Sequence, residues 1–222
     1  EYGGNFTLNL GDKFNTAYVW DMSHMFEYCG RYSENFTLDL GSGFDTSRVE
    51  YMSFMFAYCG QNGGNFTLNL GDKFNTTYVM NMSDMFDSCG QVSDKFKLDL
   101  GNKFDTSSVT DMSHMFAYCG QESGNFTLDL GDNFDTSSVT DLSNMFNSCG
   151  SKSSAFTTLD LSAFTLSADT NLSEFAPNIP VTNFIFGANW ENAVLPDNNV
   201  FSVTAATATS VAGATANLIN YD

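Results

Sequence analysis

Cysteine recurs at Cys29, Cys59, Cys89, Cys119 and Cys149, thirty residues apart each time. Phe6, Phe36, Phe66, Phe96 and Phe126 keep the same interval, and so do the columns that begin at Leu10 and Val19. Five units therefore run from Asn5 to Ser154 without an insertion. So long a fixed period constrains the fold more than any other feature. One short unit buries too little apolar surface to offset the entropy of ordering its backbone, so units must stack and share their faces.

Each unit changes period partway along. In Phe126-Thr127-Leu128-Asp129-Leu130 apolar and polar residues alternate, the pattern of a half-buried strand. Gly131 opens a turn and Phe134 is a second inward anchor. Val139, Leu142, Met145, Phe146 and Cys149 then follow at intervals of three, three, one and three, which predicts a short helical segment. Ser143 or Asp141 is expected to cap it and Gly150 to end it. The expectation is an α/β repeat solenoid, leucine-rich-repeat-like, with one parallel β-sheet and short helical segments on the opposite side. Neighbouring strands should lie about 4.8 Å apart.

Residues 1–154 form one block of five solenoid repeats, with 1–4 read as the tail of a preceding repeat and the chain as part of a longer protein. Residues 155–222 read as degenerate repeats and a C-terminal cap. Leu159-Asp160-Leu161 and Phe164 repeat the strand and anchor, with one residue inserted before the strand and one loop residue lost after it, and beyond Pro196 the phase dissolves.

The run from Leu98 to Cys119, L-x-L-x-x-x-F-x-T-x-x-V-x-x-M-S-x-M-F-x-x-C, resembles the repeats of BspA-type leucine-rich-repeat surface proteins of bacteria. That resemblance implies a solenoid exposed on a cell surface or secreted, used for attachment or binding, with no enzymatic activity. No ligand follows from it.

The residues that bear chemistry sit in columns. Pointing outward from the strands are Thr7, Asn9, Thr37, Asp39, Thr67, Asn69, Lys97, Asp99, Thr127, Asp129 and Asp160. With the sheet parallel and in register, Asp99, Asp129 and Asp160 are expected to stand side by side on an open face, repelling one another or recruiting a cation. This column is the candidate ligand face, and its alternative role is a solubilising polar surface. The Asx-Thr pairs beginning at Asn15 and Asp45 read as turn closures made by side-chain-to-backbone hydrogen bonds. The cysteines read as a buried column of reduced thiols. The Met and Phe columns read as core. His24 and His114 share a column with Phe54, Asp84 and Asn144, which reads as solvent-facing. The Asn-Phe-Thr sequons at Asn5, Asn35, Asn65 and Asn125 follow from the strand pattern, and Asp12, Asp72 and Asp132 recur too irregularly for a repeated calcium site.

Eight Lys and Arg against 26 Asp and Glu leave a net charge of −18. Nucleic acid and anionic membrane surfaces are thereby disfavoured as partners, since both need a basic footprint. No apolar run is long enough to span a bilayer. Self-repulsion favours a monomer. The expected function is non-enzymatic adhesion or binding to a host or neighbouring-cell protein or glycan, without cofactor or metal. A rigid spacer carrying another domain is the alternative, and a carbohydrate-active solenoid enzyme is the more distant one.

Overall fold

A computed structural model describes residues 3–187, 190, 201–202 and 207–210. The chain winds as a parallel-strand β-solenoid. The strands of the main face are β1 (Phe6–Asn9), β2 (Asn35–Asp39), β3 (Asn65–Asn69), β4 (Lys97–Asp99), β5 (Thr127–Asp129), β6 (Thr158–Leu161) and β8 (Asn183–Phe186). Phe6, Phe36 and Phe66 face one another in register, as do Asn9, Asp39 and Asn69. β7 (Ala176–Pro177) pairs with β9 (Phe201–Ser202), and β10 (Thr207–Ser210) pairs with β8. Of the degenerate repeats and cap expected at 155–222, residues 188–189, 191–200, 203–206 and 211–222 lie outside the described residues.

The expected single sheet is broken twice, into β1-β2-β3, β4-β5 and β6-β8-β10. The first break falls where Lys95 and Lys97 replace the Asn and Thr of earlier units. Before it, Asn35 donates to Asn5 and Asn65 to Asn35, both at 2.7 Å. Lys95 has no amide oxygen to receive the next donor, so the ladder is not passed on to Asn125, whose Nδ2 donates to the Asp94 carbonyl instead. The second break falls at the residue inserted ahead of β6. Both breaks show in the core on the strand that precedes them: Leu68 and Leu70 of β3 and Leu128 and Leu130 of β5 are only partly covered, whereas Leu38, Leu40, Leu98 and Leu100 are buried.

The opposite side carries no helix among the described residues, which corrects the expected helical segments. It is a ribbon of successive tight turns. Met25, Glu27, Cys29, Arg31 and Ser33 each donate their N–H to the carbonyl three residues back, at 3.0–3.2 Å. The intervening N–H groups, of Met22, His24, Phe26 and Tyr28, donate instead to Tyr51, Ser53, Met55 and Ala57 of the next coil at 2.9–3.0 Å. The same alternation runs from coil to coil as far as Ser148, which donates to Pro177 at 2.8 Å. A helix is excluded because the positions of His24, Tyr28 and Gly30 and their copies lie in the left-handed region, at φ between 51° and 63°. Repeated turns place every third residue inward, as one face of a helix would. Asp141, taken as a helix cap, closes a turn by accepting from the Ser143 N–H at 2.9 Å.

Between the two sides lies a core of aligned rings. Phe26, Phe56, Phe86, Phe116 and Phe146 stack with centroids 5.4–5.7 Å apart. Phe36 and Phe66 stack at 5.3 Å. The thiols of Cys59, Cys89, Cys119 and Cys149 are buried in this core, and all five cysteines are free. Burial pushes these thiols well up from their ordinary value.

Candidate functional site

The strands present Thr7, Thr37 and Thr67 in one line and Asn9, Asp39 and Asn69 in the next. Past the first break, Lys97 stands opposite Thr127 and Asp99 opposite Asp129. Asp160 is not paired with Asp129, since β6 bonds to β8, where Asp160 faces Ile185, and not to β5. The expected row of three carboxylates is therefore a pair plus one, because the inserted residue detaches β6 from β5. A cleft of about 410 Å³ fills the gap, with Asp129 and Asp132 on one wall and Asp160 on the other.

The column divides into two chemical environments. Asp39 accepts from Asn9 Nδ2 at 3.0 Å, from Asn69 Nδ2 at 3.1 Å and from the Gly41 N–H at 3.1 Å. Its carboxylate is thus flanked by two amides that neutralise part of its charge. Asp99 and Asp129 each accept from a glycine N–H two residues on, at 2.9 and 3.0 Å, with no amide between them. Asn9, Asn69 and Asp160 close the same kind of turn, on Gly11, Gly71 and Ser162.

The second Asx column behaves as expected. Asn15, Asp45, Asn75, Asp105 and Asp135 each accept from the N–H two residues on, at 2.8–3.0 Å. The buried threonines beside them do more, for Thr16, Thr46, Thr76, Thr106 and Thr136 donate to a carbonyl of the next coil at 2.6–2.9 Å.

Two further groupings on the turn ribbon escaped the sequence reading. Arg31 donates to Gln61, Gln61 to Gln91 and Gln91 to Gln121, at 2.8, 2.9 and 2.6 Å. The Gln at one register of three successive units was the available signal. The other grouping surrounds Asp84 and Asp87. Burial pushes the Asp84 carboxyl up to about 6, with the His114 charge opposing the shift, and burial also raises Asp87, which accepts from Ser88 at 3.0 Å. Burial pushes Tyr58, which also bonds Asp87, up to about 12. The His24 column is accordingly not uniformly solvent-facing: Phe54, Asp84 and His114 are half-buried, and the His24 ring stacks on Phe54 at 4.9 Å. Among the described residues, no cluster of three or more His, Cys, Asp or Glu is placed to hold a metal, and no helix is long and apolar enough to cross a membrane.

In-register parallel strands, stacked phenylalanines and a backbone ladder on the far side define the molecule as a β-solenoid repeat protein. Residues 4–98 and 60–184 match the family described as Mycoplasma protein of unknown function, DUF285, and the chain belongs to that family. No curated protein and no solved structure matches it.

Proposed function

We propose that this chain is a non-enzymatic binding solenoid of the BspA-like leucine-rich-repeat kind, displayed on a cell surface or secreted. It attaches to a host or neighbouring-cell protein or glycan through its outward strand face. One observation carries this reading. Asp39 is fully engaged by Asn9, Asn69 and Gly41, whereas Asp99 and Asp129 stand paired on an exposed surface beside Lys97 and Thr127, next to the cleft that ends at Asp160. Like charges left adjacent cost stability, so their retention favours a ligand over a scaffold role. The near-identity of the units also argues against catalysis, which needs residues that break a repeat to set an acid or base in a unique place.

Asp99→Asn/Asp129→Asn tests the proposal. Binding of the purified chain to cells is lost if the strand face is the site. Unchanged binding rejects this face, and a chain that binds no surface is a spacer. The unbroken hydrogen-bonded ribbon, which would stiffen a stalk, favours that second reading.

A further inference from the structure

Three large rings on the outside of the first coils have no part in the core. Tyr18, Trp20 and Tyr78 are 82%, 60% and 64% exposed. The fold does not require rings there, since later units carry Ser108, Thr110, Ser138 and Thr140 at the same positions. With Arg48, Glu50 and Met80 they line an open depression of about 660 Å³. We infer that this shelf is a binding site for a neutral, linear glycan built of hexose rings.

Its backbone is held in place. Glu50 donates its N–H to Trp20, Met80 to Glu50 and Thr110 to Met80, at 2.8, 2.8 and 2.9 Å. The shelf is therefore preorganised, and little ordering entropy is lost when a ligand settles on it. The rings are braced as well. The Arg48 guanidinium lies over Tyr18, 5.5 Å from its centroid, and Trp20 meets Tyr51 edge-on at 5.9 Å.

Along the solenoid axis the side chains alternate as ring, charge, ring: Tyr18, Arg48, Tyr78. At ~4.8 Å per coil the two tyrosines stand about 10 Å apart. An extended sugar polymer turns a comparable ring face outward at every second residue, at a similar rise. Its C–H groups carry partial positive charge and pack on the electron-rich faces of aromatic rings. Between the rings, Arg48 supplies donors and Glu50 acceptors for hydroxyl groups. The chain's net charge of −18 repels polyanions, which favours a neutral glycan over an acidic one.

The site is separate from the strand face and is tested separately. Trp190 is 1% exposed, so acrylamide quenching of tryptophan fluorescence reports on Trp20. Cellohexaose, maltohexaose and chitohexaose are the probes. At least one should protect Trp20, Tyr18→Ala/Tyr78→Ala should weaken that binding roughly tenfold, and Asp99→Asn/Asp129→Asn should leave it unchanged. Circular dichroism checks that each variant is folded. The inference is overturned if no hexasaccharide protects Trp20, if the tyrosine variant binds as well as the parent, or if only a protein partner protects Trp20.

Discussion

Thr46 satisfies both backbone polar groups of Asn75 with one hydroxyl. Its Oγ1 donates to the Asn75 carbonyl at 2.7 Å and accepts from the Asn75 N–H at 2.6 Å. The two residues lie in successive coils, so a side chain supplies here the pairing that a strand would otherwise give. Thr46 is buried. Thr46→Val keeps the shape and orphans both groups, and it should cost about 1–3 kcal/mol in urea unfolding. Thr46→Ser keeps the hydroxyl and should stay within about 1 kcal/mol of the parent. Equal costs for the two variants would show that packing, not the hydroxyl, holds the corner.

Gly101 and Gly131 occupy one column at φ +70° and +75°, yet their surroundings differ. A Cβ on Gly131 would lie 2.4 Å from the Gly101 carbonyl oxygen, whereas one on Gly101 meets nothing within 4 Å because the sheet is broken before β4. Gly101→Ala should cost only the left-handed strain, about 1–2 kcal/mol. Gly131→Ala adds a backbone clash worth about 1–3 kcal/mol more. Equal unfolding midpoints would place a continuous sheet where the break is described.

Asp84 sets a pH dependence. Its carboxyl has an ordinary value of 3.8 and titrates near 6 in the fold, chiefly because burial disfavours its charged form. The folded state therefore holds the proton more tightly, and stability falls as pH rises from about 4 to about 6, then levels off. Asp84→Asn should flatten most of that decline and raise stability above pH ~6 by on the order of 1 kcal/mol, the figure being reduced for a half-exposed group. Asp87, shifted in the same direction, should leave a residual slope. Urea midpoints across this pH range decide the matter, and an unchanged slope in Asp84→Asn would remove Asp84 as its source.

The thiols should divide one against four. Cys29 is partly exposed, while Cys59, Cys89, Cys119 and Cys149 are buried. Burial raises the Cys29 thiol too, so a chromogenic disulfide reagent at about pH 8 should label Cys29 first but slowly, and the others only as the chain opens. Mass spectrometry of the early product should find the label on Cys29 alone. Uniform labelling would contradict a closed core.

The stacking could be read from the sequence because identical residues thirty apart leave no other way to bury Phe36, Met52 and Cys59 together. The strands could be read for the same reason, through the alternation of Phe36, Leu38 and Leu40 with Thr37 and Asp39. The turn ribbon could not. Val139, Leu142, Met145 and Cys149 have a spacing that serves a helix and a chain of tight turns alike, and the distinction rests on Tyr28, Phe54 and His114 adopting a left-handed backbone that such residues seldom take. The sheet breaks lay in plain view at Lys95, at Lys97 and at the residue inserted before β6. The first accompanies the end of a ladder of Asn5, Asn35 and Asn65 side chains that only coordinates reveal. The second, which parts Asp160 from Asp129, follows from the inserted residue alone.

On the turn ribbon the inter-coil N–H groups at Met22, His24, Phe26 and Tyr28 and their copies all point towards the later coil, and the carbonyls that receive them all point back. The N–H groups of Gly60, Asn62 and Gly64 run the other way, to the carbonyls of Cys29, Arg31 and Glu34 in the earlier coil. Each rim of the stack therefore offers donors and acceptors together, as the edge of a parallel sheet does. An added coil would find partners for its backbone at either rim, so what keeps such edges from joining is their side chains and charge.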